Sequence, residues 1–176
     1  MREDNVGIIR HIDDLGRIVI PKDIRRMLHI NVGDPVEISA GRDGMLMKRY
    51  RPLPDLKSVC NMLLTAFGRG CSSVCVITDT EHVIASKGIT VSSERPLAPA
   101  LAEYIRAGKS YINRGDNAFD LFGGSSFPVA SISSVIEDGR SYGAVILLQY
   151  NEVADWAYDR SKMLADTLSQ ILQDGE

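Results

Sequence analysis

The sequence predicts an α+β chain in two modules: residues 1–52 form a small β-rich module completed by a second copy, and residues 53–176 a larger α/β domain. Three observations lead there. Two prolines, Pro52 and Pro54, stand where a period-two strand pattern gives way to a helical one. The segment before them holds a single short helix pattern, and about fifty residues of that kind bury too little surface to be comfortably stable alone. The segment after them mixes helical and strand patterns at lengths that suit one domain. At 176 residues, 44% apolar and 24% charged, the chain has material for both.

In the first module, Val6 to Ile12 alternates at period two, with Val6, Ile8, Arg10 and Ile12 on one face. Asp13-Asp14-Leu15-Gly16 is a turn in which Gly16 is free to take positive φ. Arg17 to Ile20 is a second strand. Pro21 supplies the first helical position, where a missing N–H costs little, and Ile20, Ile24, Met27 and Leu28 recur at helical spacing, so Lys22 to Leu28 is a helix of two turns. Asn31-Val32-Gly33-Asp34 is another turn. Pro35 to Ala40 and Met45 to Tyr50 are strands joined through Gly41-Arg42-Asp43-Gly44, where Asp-Gly favours a tight hairpin. With no disulfide or metal to staple it, this module needs association, with strands of two chains sharing one core.

The second module opens on an amphipathic helix whose stripe is Leu56, Val59, Cys60, Leu63 and Phe67, ended by Gly68 or Gly70. Ser73 to Thr78 and Val83 to Ser86 are strands around an Asp79–His82 turn. Leu97, Leu101, Tyr104 and Ile105 mark a helix ended by Gly108, and residues 113–125 form a loop around Phe119, Leu121 and Phe122. Val129 to Ile136 and Tyr142 to Gln149 are strands flanking the hairpin signal Glu137-Asp138-Gly139-Arg140. The last helix carries Ala157, Ser161, Leu164, Leu168 and Ile171 at heptad-like spacing, which makes the terminal helices candidates for a dimer bundle.

Several function classes are disfavoured. No stretch approaches the ~18 apolar residues that cross a bilayer, and Met1 to Asn5 carries acid without an apolar run, unlike a signal peptide. A soluble, cytoplasmic protein without a membrane partner is expected. Cys60, Cys71 and Cys75 are odd in number and lack Cys-x-x-Cys spacing, and His82 is the one nearby partner. They are read as small buried hydrophobes, with no metal and no cofactor. The net charge of −3 argues against nucleic acid as a whole. It is uneven, however: residues 1–52 hold ten Lys/Arg against eight Asp/Glu, so the acidic excess lies in the second module.

The run Gly7 to Leu28 closely resembles the AbrB family of swapped-hairpin transition-state regulators. Leu15-Gly16-Arg17-Ile18-Val19-Ile20-Pro21-Lys22 is its most specific part, and Gly33-Asp34-Pro35-Val36-Glu37-Ile38 continues the family pattern. One branch of that family joins the module to a C-terminal GAF domain, which the second module resembles in order of elements and locally at Asp138 to Ile146. The resemblance implies a swapped-hairpin DNA-binding domain over 1–52 and a GAF-like sensor and oligomerisation domain over 53–176. It implies a non-enzymatic regulator, selective for sequence or shape, that activates and represses sporulation genes. Double-stranded DNA would be its partner, in a homo-oligomer built from a swapped dimer, up to a tetramer, with an unknown small-molecule effector in the GAF-like domain.

The same resemblance implies that Arg10, Arg17, Arg25 and Arg26, with Lys22, form the DNA face. The chemistry agrees, because guanidinium forks bind phosphates in pairs of hydrogen bonds and read guanine edges. Arg25 and Arg26 lie off the Ile24–Met27–Leu28 face, whereas alternation puts Arg10 with Val6, Ile8 and Ile12, from where it reaches out at the strand end. Asp13, Asp14 and Asp23 would orient Arg17 or cap local backbone, since carboxylates repel phosphate. His11 and His29 are read as structural or surface residues, and Arg42, Lys48, Arg49 and Arg51 as a solvated face touching flanking phosphate at most. Tyr104, Phe119 and Phe122 are the candidates for lining an effector pocket, with core packing as the plainer reading of each. Two rival functions stand beside this one. An antitoxin would use the same DNA module with a flexible toxin-wrapping tail, and a reductase would use cysteines on a GAF fold.

Overall fold

The computed structural model describes residues 8–28, 30–42, 44–67, 69, 73–115, 118–124, 127–149 and 155–174. Val6, His29, Asp43, Gly68, Gly70 and Cys71, to which the sequence assigns roles, lie outside the described residues. The chain divides into two compact units, Met1–Tyr50 and Arg51–Glu176.

In the first unit, Asp13–Gly16 is the expected turn: the Gly16 N–H donates to the Asp13 carbonyl at 2.9 Å, and Gly16 takes φ +75°. Helix α1 is Lys22–Met27. Pro21 stands one place earlier than expected, as N-cap with φ −57° and ψ 148°. Its ring fixes φ but not ψ, so it can leave the helix while its carbonyl still accepts the Arg25 N–H at 3.0 Å. Strands β1 (Val36–Gly41) and β2 (Gly44–Arg49) pair antiparallel from Val36↔Arg49 to Gly41↔Gly44, as the hairpin signal implied.

The other two predicted strands are corrected. Among the described residues, neither Ile8–Ile12 nor Arg17–Ile20 is a strand, and the segments are joined by the Asp13 N–H to Arg17 carbonyl bond at 3.0 Å rather than by a ladder. A strand exists through its ladder, and one chain gives these segments little to pair with. Their side chains are uncovered too. Ile9 is 85% exposed, Val19 is 77% exposed, and Ile8, Ile12 and Ile18 are also exposed. The expected core face of α1 fares no better, since the helix has no buried residue and Met27 and Leu28 are exposed.

The second unit is a five-stranded antiparallel sheet with helices on both faces. Its strands are β3 (Val74–Thr78), β4 (Val83–Lys87), β5 (Tyr111–Ile112), β6 (Val129–Glu137) and β7 (Arg140–Leu148), in the order β4-β3-β7-β6-β5. Strand β7 lies at the centre, and its residues from Gly143 to Leu148 are all buried. Alternation sends Val145 and Leu147 to one core cluster, and Ala144, Ile146 and Leu148 to the other. The β6–β7 hairpin turns through Asp138 at φ 48° and Gly139 at φ 73°, the positive pair that a two-residue turn of matching twist requires. Strand β5, two residues long, is too short for any periodic signal and was not expected.

On the first face lie α2 (Pro52–Asp55), α3 (Lys57–Phe67) and α5 (Asp155–Gln173). The helix expected from Leu56 onward is α3, and the short helix α2 precedes it. Pro52 opens an extra turn, and the Leu56 N–H closes it on the carbonyls of Leu53 at 3.1 Å and Pro52 at 3.3 Å. The α5 seam is also reassigned. Ala157, Ser161, Leu164 and Leu168 are buried in the chain's own core against the sheet, so this stripe is not a surface for another chain. A heptad-like spacing marks a continuous apolar stripe and cannot say what covers it. The second face carries α4 (Pro99–Arg106), with Leu101 and Ile105 fully buried, and the loop residues Leu121 and Phe122.

Gly143 is where α2 and the sheet meet most closely. A Cβ there would run into the Thr78 carbonyl oxygen and Leu53 Cδ1, and would lie 3.0 Å from Asp79 Cα. Two of these atoms are backbone and cannot swing away. Gly143→Ala is expected to destabilise the chain by about 1–3 kcal/mol through overpacking, whereas Gly123→Ala, with nothing within 4 Å of its Cβ, should be near neutral. Chemical denaturation of the two variants checks this.

Candidate nucleic-acid interface

The turn between the two unpaired segments organises one cation. Asp13 is the centre of it: its Oδ1 accepts the backbone N–H groups of Leu15 at 3.0 Å and Arg17 at 2.8 Å, and its Oδ2 accepts Arg17 Nε at 2.8 Å. The sequence led to the expectation that an aspartate here orients Arg17 or caps backbone, and Asp13 does both. The backbone and side-chain bonds from Arg17 hold the Asp13 carboxyl below its ordinary 3.8, against an opposing desolvation, with the Leu15 N–H adding least. The Nε bond takes one of the five N–H donors of the guanidinium, and the Arg17 side chain remains 69% exposed. A charged fork held at its base and open at its tip is preorganised for an oxyanion.

The remaining cations of the predicted face are arranged more loosely. Arg10 is exposed, with Nη1 3.3 Å from the Ile9 carbonyl. Lys22 and Arg26 are exposed on α1, while Arg25 is half-buried. The structure thus brings Arg17 under the control of Asp13, and carries Lys22, Arg25 and Arg26 together on one six-residue helix. His11 is exposed.

The group read as a solvated face is corrected in part. Lys48 pairs with Glu37 at 3.0 Å across the β1–β2 ladder, and both remain substantially exposed. Arg49 has a side chain only 16% exposed, 3.8 Å from Asp34, whose carboxylate also caps the Asn31 N–H at 2.8 Å. Arg51 binds Asp79, a carboxylate that is 2% exposed. Nothing local in the sequence announces a partner twenty-eight positions away, and tertiary packing alone supplies it.

In the second unit, Tyr104 and Phe119 do come together. Their ring centroids are 4.7 Å apart, and Tyr111 closes a trio at 5.1 Å from Phe119 and 6.3 Å from Tyr104. The Tyr104 hydroxyl donates to the Ser110 carbonyl at 3.1 Å. Phe122 is buried, edge-on to Phe127 at 5.9 Å, with the Arg95 guanidinium 4.4 Å above its ring. All three candidate rings pack in or against the core on the α4 side of the sheet. Cys60 and Cys75 are buried, and desolvation pushes the Cys60 thiol up to about 11. A thiol so reluctant to ionise is a poor nucleophile. Among the described residues no three His, Cys, Asp or Glu side chains gather as a metal site, and no helix is long and apolar enough to cross a membrane.

Comparison with known proteins bears on both units. The family model described as antidote-toxin recognition MazE, bacterial antitoxin, matches residues 9–55. Stage V sporulation protein T of Bacillus subtilis (strain 168) is 30% identical over 151 residues, covering 83% of this chain and 85% of that protein. Transition state regulatory protein AbrB of the same organism is 42% identical over 48 residues, which are 27% of this chain and 50% of that one. Among solved structures, residues 122 to 287 of a methyl-accepting chemotaxis protein superpose with a TM-score of 0.50 at 16% identity. That match covers 69% of this chain and 88% of the other and shows a shared fold alone.

The Asp13 turn makes a prediction about pH. A carboxylate whose folded value is depressed stabilises its turn above the ordinary 3.8 and loses that contribution as pH falls through the lower, folded value. In an NMR titration the amide signals of Leu15 and Arg17 should therefore move together with a midpoint below 3.8. Asp13→Asn should abolish the joint transition. Independent midpoints for the two amides would contradict the shared acceptor.

Proposed function

The chain belongs to the family of stage V sporulation protein T, and from that premise we propose that it is a DNA-binding transcription regulator of sporulation genes, acting as both activator and repressor. The observation that carries the reading is the exposed Arg17 fork held by Asp13, in a unit that also presents Lys22, Arg25 and Arg26 on α1. Arg10 completes the set. Phosphate contacts supply most of the affinity of such a face, and a fork within reach of a base edge supplies selectivity.

The regulator works as a homo-oligomer. The uncovered Ile8, Ile9, Ile12, Ile18 and Val19, with the open face of α1, are the half of a core that a second copy completes by exchanging hairpins. That exchange would also provide the ladder that the two unpaired segments lack. In this reading residues 1–52 are the swapped-hairpin DNA-binding domain, and residues 53–176 are a GAF-like domain that extends the assembly. The antitoxin reading is the weaker one. The matching antitoxin model ends at residue 55, and the chain beyond that point folds as a packed five-stranded domain rather than a flexible tail.

Two measurements test these statements. The double variant Arg25→Ala, Arg26→Ala is expected to bind double-stranded DNA at least about tenfold more weakly, with a flatter salt dependence because phosphate contacts are lost. Circular dichroism should show its fold intact, and unchanged affinity in a folded variant would contradict the assignment. Ile9→Asp separates monomer from shared core. On a monomer surface an 85% exposed isoleucine is replaced at almost no cost, whereas in an exchanged core the charge should disrupt the dimer seen by analytical ultracentrifugation.

A further inference from the structure

We propose that Arg51 is a latch: by gripping the buried carboxylate of Asp79 it fixes the point where the chain enters the second unit, and this anchoring sets how tightly the full chain holds DNA. The second half rests on the DNA-binding reading above. The first half stands on geometry alone.

The two units meet in sequence at a single peptide bond. The Tyr50 N–H still donates to the Pro35 carbonyl at 3.1 Å and so belongs to the first unit. Arg51 is already bound into the second: Nε lies 3.1 Å from Asp79 Oδ2, Nη2 reaches the same oxygen, and Nη1 is 3.7 Å from Glu81 Oε2. Nη2 also lies 3.3 Å from His82 Nδ1. The other Asp79 oxygen accepts the Glu81 and His82 N–H groups at 2.7 Å each, so the receiving loop is tied to the same carboxylate. Immediately after Arg51, Pro52 and Leu53 are buried, and Leu53 packs where Gly143 makes room for it.

A linker that leaves two modules independent is a run of flexible, polar residues. Here the last residue bonded into one unit and the first bonded into the other are neighbours in the sequence. The latch also has a chemical specificity. A carboxylate 2% exposed needs a cation beside it, and a planar fork engages Asp79, Glu81 and His82 at once in a way an ammonium group cannot. Releasing Arg51 would let the entry to α2 fray and so lengthen the tether between the two units. A longer tether lowers the effective concentration at which assembled DNA-binding modules present themselves to one duplex.

The full-length chain and its variants Arg51→Gln, Arg51→Lys and Asp79→Asn provide the test, with thermal melting to confirm that each is folded. Chymotrypsin under native conditions reads the joint at the Tyr50–Arg51 bond. Cleavage there should rise by about tenfold in Arg51→Gln and Asp79→Asn, and by less in Arg51→Lys, as loss of a buried partner exposes the local chain. On a double-stranded DNA fragment the same variants should lose roughly tenfold in affinity while the salt slope of binding stays that of the wild type. An Arg51 that instead touched phosphate would lower that slope by about one in Arg51→Gln and keep it in Arg51→Lys, and that result would overturn the latch. Unchanged cleavage in all three variants would overturn it as well. Should Arg51→Gln or Asp79→Asn not fold, Arg51→Lys decides the matter by the same two readouts. A wild-type chain without affinity for DNA would refute the regulator reading and the second half of the proposal, while the cleavage series still decides the first.

Discussion

How much apolar surface a segment can cover from its own residues governs everything else in this molecule. The second unit builds two buried clusters from its own residues, because β7 is paired on both edges and buried on both faces. The first unit, with one six-residue helix and one two-stranded ladder among its described residues, leaves five β-branched side chains between Ile8 and Val19 exposed. Fully burying an exposed side chain of this size contributes roughly 1.5–3 kcal/mol, so much of that stabilisation is unrealised within one chain.

The cations of the first unit share it with this uncovered apolar row. Asp13 illustrates the economy of the arrangement: an acid in a cationic region weakens long-range attraction for phosphate, yet the same carboxylate closes the turn and holds Arg17 by Nε. Local geometry matters more at this point than the sum of charges, since a screened surface charge contributes little at distance.

The arginines divide by what tertiary structure does with them. Arg17 and Arg26 stay exposed, Arg49 is drawn against Asp34, and Arg51 is drawn to a buried carboxylate. In the sequence all four look alike, in a stretch that is basic by only two charges. Burial of the partner decides the role, because an aspartate removed from water holds its cation far more firmly than one left in it.

The sequence by itself determined the helix at Lys22, the hairpin after Val36, the break near Pro52, the hairpin at Asp138-Gly139 and the turn at Gly16, because each rests on local rules of period, φ and residue type. It also determined the family resemblance, through a run of contiguous residues from Gly7 to Leu28. What only the tertiary structure decided was coverage. The α5 stripe from Ala157 to Leu168 meets its own sheet, Pro52 opens an extra helix whose Leu53 packs against Gly143, and β5 forms from two residues because β6 offers an edge. The segments around the Asp13 turn, read as strands from their alternation, remain unpaired within one chain. Periodicity records which side of a segment is apolar, while the surface that covers it comes from residues distant in the chain or from a second copy.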